Sequence, residues 1–150
     1  MAERRCMVVG NWKMNGSIES NENLLESMAD DLSRLDAVDI AVCPPFPYLA
    51  QVRGAFSGPT RSSMSYGAQN VSEHEAGAYT GEVDAQMLLD LGCSWAIVGH
   101  SERRTLFGET DSIVAAKAAR AVGAGLPLGR DLACCGGAVD HGVRVFHGQA

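Results

Sequence analysis

The chain has 150 residues, 46% hydrophobic and 20% charged, with a formal net charge of −6. That composition suits one globular domain with its own core and excludes a disordered chain. The acidic balance argues against a nucleic-acid or anionic-membrane surface, while leaving room for a local cationic site that takes a small anion.

The N-terminal text MAERRCMVVG carries two arginines, but its apolar run breaks at Gly10 and Asn11. It fits neither a signal peptide nor a membrane span, so a soluble cytoplasmic protein is expected. From Cys6 the run CMVVGNW reads as a strand, continuously apolar as a strand buried on both faces should be. Leu24, Met28, Leu32 and Leu35 then recur at three- and four-residue steps, predicting a helix from about Ile18 to Leu35. A second strand, DIAVCPP from Asp39, runs into Pro44, Pro45 and Pro47, which delay the next helix to about Tyr48 and keep it short. SMSYGAQN from Ser63 is the weakest strand pattern. Asp84 suits the N-cap of a helix carrying Met87, Leu88 and Leu91, with Gly92 just past its end. WAIVGH from Trp95 is the fourth strand, and Thr110 or Asp111 caps an alanine-rich helix that runs to Val122 and stops at Gly123.

Strand then helix, four times in succession, is the α/β pattern with a parallel sheet and right-handed crossovers. An open sheet of four such strands would expose two edges and leave one apolar face unfilled. In both α/β solutions, doubly wound sheet and closed barrel, functional groups gather at the carboxyl ends of the strands. That rule singles out Asn11 with Lys13, the prolines after the second strand, Gln69 with Asn70, and His100.

Lys13 is either a solvated loop lysine or a cation placed to attract phosphate or carboxylate and to stabilise developing negative charge. His100 is either a structural histidine or an electrophile. If Ser101 to Arg104 open a helix, its backbone N–H groups face one imidazole nitrogen, hold the ring neutral and leave the other nitrogen as a donor. Glu102 is either part of a solvated helix end or the group that orients Lys13. The Gly-rich, charged text SEHEAGAYTGEVD between the third strand and the next helix reads as an exposed loop or an association element. Five cysteines, Cys6, Cys43, Cys93, Cys134 and Cys135, include no C-x-x-C pair, so no metal site is expected, and the first three read as buried free thiols.

Four motifs, VGNWKMNG at 9–16, GAQN at 67–70, GAYTGEV at 77–83 and AIVGHSERR at 96–104, together resemble the triosephosphate isomerase family in order and spacing from about Arg5 to Leu126. The resemblance implies a (β/α)₈ barrel, with residues 1–126 forming its first four βα units, a half barrel. It implies interconversion of dihydroxyacetone phosphate and glyceraldehyde 3-phosphate in glycolysis and gluconeogenesis, with no cofactor or metal. It assigns substrate binding to Asn11 and Lys13, and catalytic roles to Lys13, to His100 as electrophile and to Glu102 as partner of the lysine. The family is a homodimer, and Tyr79, Thr80 and Gly81 match its dimer loop, with Thr80 reaching the partner's site.

Residues 127–150 read as a divergent tail. The family's general base is a glutamate at the start of the loop after its sixth strand, and its phosphate grip comes from loops six to eight. No glutamate follows Glu109 here, so the chain as given lacks the base and most of the phosphate site. A rival expectation is an inactive fragment that retains only the dimer-loop surface; another phosphosugar enzyme on the same barrel fits the joined motifs less well.

Overall fold

An apolar run can be buried on both faces only if it sits inside a layered sheet, and each run of this sequence does so. The computed structural model describes residues 6–32, 38–57, 64–128 and 143–146. Strands β1 (Cys6–Asn11), β2 (Val38–Cys43), β3 (Met64–Ala68) and β4 (Trp95–Ala96) alternate with helices α1 (Ile18–Leu32), α2 (Leu49–Phe56) and α3 (Ala85–Asp90). After β4 come α4 (Ser101–Phe107), α5 (Asp111–Gly123) and a further strand, β5 (Val143–Phe146). The sheet order is β4-β3-β2-β1-β5 and every pair is parallel, with Asn11 opposite Cys43, Val42 opposite Tyr66 and Ala68 opposite Ala96.

Four strands were expected; the fifth lies in the stretch that matches no motif. Its text VRVF is β-branched and aromatic, which favours extended backbone. It runs alongside β1 from Met7↔Val143 to Gly10↔Phe146, covering an edge that would otherwise invite association.

Side chains alternate along each strand. Val42, Tyr66, Ala68 and Ala96 pack with Leu25, Leu49, Val52, Leu88, Ala121 and Leu126 of the outer layer. Leu49 and Leu88 are fully enclosed, and burying such a side chain contributes about 2 kcal/mol. On the other face Val9, Ala41, Cys43, Trp95 and Ile97 form a second cluster. The expectation of an unfilled inner face is therefore corrected: these five are at most 5% exposed. Trp95 does much of the filling, its indole lying across Gly67 so closely that a Cβ there would meet it at 2.7 Å.

Helix caps follow the sequence. Asp84 accepts the Gln86 N–H, and Thr110, rather than Asp111, accepts the Ile113 N–H. Gly92 takes the left-handed conformation after α3, with φ +81°. The stripe on α1 is shifted by one position, since Leu25 is buried and Leu24 is 43% exposed. Asn21 sets that phase: it is buried beneath Gly16 and its amide donates to Gln51. On α3, Leu88 is inward while Met87 is exposed. β4 is shorter than the apolar text, although Ile97 still donates to the Ala68 carbonyl at 2.8 Å.

Cys43 and Cys93 are buried free thiols. Burial raises both, Cys43 well above the ordinary thiol value and Cys93 to about 11, which keeps them protonated and unreactive. Cys6, Cys134 and Cys135 lie outside the described side chains. Among the described residues no helix is long and apolar enough to cross a membrane.

Gly67→Ala is expected to destabilise the chain by about 1–3 kcal/mol, because the added methyl meets both the ring and the backbone oxygen of Trp95. Urea unfolding followed by Trp95 fluorescence measures it, and a neutral result would show that the indole can move aside.

Candidate active site

The parallel register brings the carboxyl ends of β1, β2 and β3 side by side, with β4 next in line. Asn11 closes β1, buried, and its Oδ1 accepts the Lys13 N–H at 2.9 Å. This side-chain turn accompanies a φ of +54° at Lys13, the one described non-glycine residue in the left-handed region. That backbone costs roughly 1–2 kcal/mol for a residue with a Cβ. Its carbonyl is also held, since Gln69 Nε2 donates to Lys13 O and to Cys43 O, both at 2.8 Å. Trp12 N–H reaches the same Cys43 carbonyl at 3.0 Å, and the Tyr48 hydroxyl donates to Gly16 O at 3.0 Å. The turn after β1 is thereby tied to the end of β2 and to the residue that follows β3.

Across the sheet, Gly99 turns the chain with φ +67° and His100 becomes the N-cap of α4. The imidazole is 5% exposed. Its Nδ1 accepts the Glu102 N–H at 3.2 Å. A ring nitrogen that accepts a backbone N–H presents its lone pair, so this geometry assigns the neutral ring with its proton on Nε2. The opening of α4 predicted from Ser101 to Arg104 is thus present and caps through the histidine. Glu102 serves twice, for its carboxylate Oε1 also lies 2.8 Å from Lys13 Nζ while Oε2 is 3.6 Å from His100 Nδ1. The ammonium and carboxylate are partly exposed, 34% and 44%, so their pairing is worth under about 1 kcal/mol of stability. Its consequence is geometric: the cation is fixed beside a neutral imidazole.

Asn11, Lys13, Glu102 and His100 are therefore brought together from the carboxyl ends of β1 and β4, which are separated in the sheet by β2 and β3. Tyr79, Thr80 and Gly81 are not part of that constellation. They sit on an exposed turn that braces itself, with Tyr79 stacked on His74 at 4.0 Å and the Glu82 N–H donating to the Tyr79 carbonyl.

A second polar network escaped the sequence reading. Glu109, which follows α4, is buried, and its Oε1 is 2.5 Å from both Arg103 Nε and Lys117 Nζ. Lys117 also donates to Asn70 Oδ1 at 2.9 Å, linking α5 to the turn after β3. Burial pushes the Glu109 carboxyl up, but the bonds from Lys117 and Arg103 outweigh it and hold it below the usual carboxylate value. The signal was present: Lys117 lies on the inward stripe of α5 with Ala121, and a lysine on such a stripe needs a buried partner.

A parallel sheet with outer helices and a cation and an imidazole at its strand ends places this chain in the α/β class, in which functional groups gather at the carboxyl ends of the strands. A model of the family described as Triosephosphate isomerase matches residues 6–141. Triosephosphate isomerase of Thiobacillus denitrificans (strain ATCC 25259 / T1) is 57% identical over 123 residues, covering 82% of this chain and 47% of that protein. That of Nitrosococcus oceani is 57% identical over 115 residues, covering 77% of this chain and 45% of the relative. That of Dechloromonas aromatica (strain RCB) is 54% identical over 114 residues, with 76% and 44% covered. The chain belongs to the triosephosphate isomerase family. It spans about half the length of the curated relatives it matches.

Because Glu109 is held below the usual carboxylate value, it contributes stability above its unfolded-state pKa, and the contribution is lost as pH falls through the depressed folded value. Glu109→Gln leaves Lys117 buried without its counter-charge and should cost about 3 kcal/mol near neutral pH. Urea unfolding at neutral pH and again at about pH 3 checks this; the gap between variant and parent should narrow in acid.

Proposed function

We propose that this chain supplies the electrophilic half of a cytoplasmic triosephosphate isomerase site, acting on dihydroxyacetone phosphate and D-glyceraldehyde 3-phosphate in glycolysis and gluconeogenesis. The observation that carries the reading is Glu102 joining two groups at once: its N–H holds His100 Nδ1 and its carboxylate holds Lys13. A dianionic substrate is drawn to the Lys13 ammonium, which then faces the charge that develops on oxygen. His100 donates its Nε2 proton in a hydrogen bond to the carbonyl oxygen. As a base removes the proton from the adjacent carbon, the C–H electron pair forms the C=C bond and the carbonyl π electrons move onto that oxygen, giving an enediolate. The imidazole passes a proton between the two oxygens, and reprotonation at the neighbouring carbon completes the exchange with no net change of atoms. Asn11 is placed to hydrogen-bond the same substrate, and neither cofactor nor metal is required.

The base is a separate matter. After Glu109 the only carboxylate side chains in these 150 residues are Asp111, Asp131 and Asp140. Asp111 lies in the first turn of α5, 2.6 Å from Arg104. The resemblance places the base glutamate after a sixth strand, so a polypeptide of these 150 residues carries the electrophile without it. The exposed 79–81 turn supports a homodimer built through that loop. Because the turn is braced by its own His74–Tyr79 stack, a partner-binding role without turnover is the second reading.

A polypeptide of these 150 residues, made in a host lacking its own isomerase, should give no turnover of glyceraldehyde 3-phosphate, while a chimera joining residues 6–126 to the second half of the Thiobacillus denitrificans relative should be active. In that chimera Lys13→Met should lower kcat/KM by about 10²- to 10³-fold, the range seen for one preorganised group; an unchanged rate would remove the lysine from the site. Tyr79→Asp should shift the chimera from dimer to monomer in sedimentation equilibrium.

A further inference from the structure

The backbone of Lys13 is held in a conformation that an L residue leaves readily, φ +54°. Strained positions of this kind persist only where the surroundings over-determine them. Three bonds do so here. Asn11 Oδ1 accepts the Lys13 N–H at 2.9 Å, the Glu102 carboxylate accepts from the ammonium at 2.8 Å, and Gln69 Nε2 donates to the carbonyl at 2.8 Å. Only the third comes from a residue that has no role yet in the site.

Gln69 follows β3, is half-buried, and directs its amide to two carbonyls, Lys13 O and Cys43 O. An amide NH₂ has two hydrogens, and two acceptors use both. The carbonyl of Cys43 is itself fixed, because it ends β2 and accepts the Trp12 N–H. Gln69 therefore references the Lys13 peptide to a rigid strand end. With the carbonyl anchored on one side and the N–H on the other, the Cα–Cβ bond of Lys13 has one direction, the one that brings its ammonium to Glu102. Without the amide only the Asn11 and Glu102 bonds oppose relaxation toward negative φ, a rotation that swings the side chain away.

Building on the proposed function, we infer that Gln69 is a positioning residue for catalysis, acting on the substrate solely through the backbone of Lys13. Its amide hydrogens are both engaged by the Lys13 and Cys43 carbonyls.

The test is a double-mutant cycle in the active chimera, with Gln69→Met to remove both donors at nearly constant volume. Gln69→Met should lower kcat/KM at least about tenfold with the melting temperature of the folded variant recorded alongside, and Lys13→Met/Gln69→Met should be no slower than Lys13→Met alone. A general structural role would slow both backgrounds equally, and that additive outcome overturns the inference while leaving Lys13 in place. No loss in Lys13→Met itself overturns the functional reading beneath it. Gln69→Glu, which keeps the shape and faces the two carbonyls with oxygen, should behave like Gln69→Met and serves if the latter does not fold. In the 150-residue chain, amide hydrogen exchange provides an activity-independent readout: Gln69→Met should speed exchange at Lys13 at least about tenfold, with Val9 and Ala41 unchanged. Unaltered exchange at Lys13 overturns the inference.

Discussion

Parallel pairing is the constraint from which everything else here follows. Because β1 to β4 run the same way and Asn11 pairs with Cys43 as Ala68 pairs with Ala96, the strands deliver their last residues to one rim. Residues distant in sequence, Lys13 and Glu102, then meet without any long side chain having to search for its partner. The crossover helices that parallel strands require also cover the outer face, so the same topology builds the core and the rim. Inner-face packing by Trp95 against Gly67 stiffens the platform beneath the site.

The rim shows how one residue type can hold different states according to its bonds. Glu102 is partly exposed and shares its charge with Lys13, whereas Glu109 is enclosed and bonded by two cations. The first arrangement leaves the ammonium accessible to an anion from solution. The second encloses Lys117 and ties α4, α5 and the turn after β3 into one unit. A buried pair of this kind contributes less by existing than it would cost to break, which suits a framework role.

Much of this was legible in the sequence, and the limits have physical causes. Continuous apolar runs identified β1, β2 and β4, and Asp84, Thr110 and Gly92 marked helix ends, because capping depends on a few local atoms. His100 with its following helix could be read as a neutral donor because Nδ1 and the Glu102 N–H are two residues apart. Leu24 was placed inward instead of Leu25, since the phase of α1 depends on Asn21 packing beneath Gly16, a contact invisible to periodicity. Gln69 was recognised as a strand-end residue but not as a bridge, for its acceptors are backbone carbonyls that any sequence would supply. Lys117 carried a usable sign, a charged residue on an inward stripe, while β5 is four residues of ordinary strand-forming text whose partner lies at the far end of the chain.

That last pairing orders events in time. β1 meets β2 across one helix, β2 meets β3 across another, but Met7 meets Val143 only when the chain has extended past all the other described elements. Closing so long a loop costs more entropy than the local pairings and slows its formation. On a ribosome, which releases the chain from its N-terminus, one edge of β1 therefore remains open until β5 emerges. Among the described strands, the earliest in sequence is the last to acquire both neighbours.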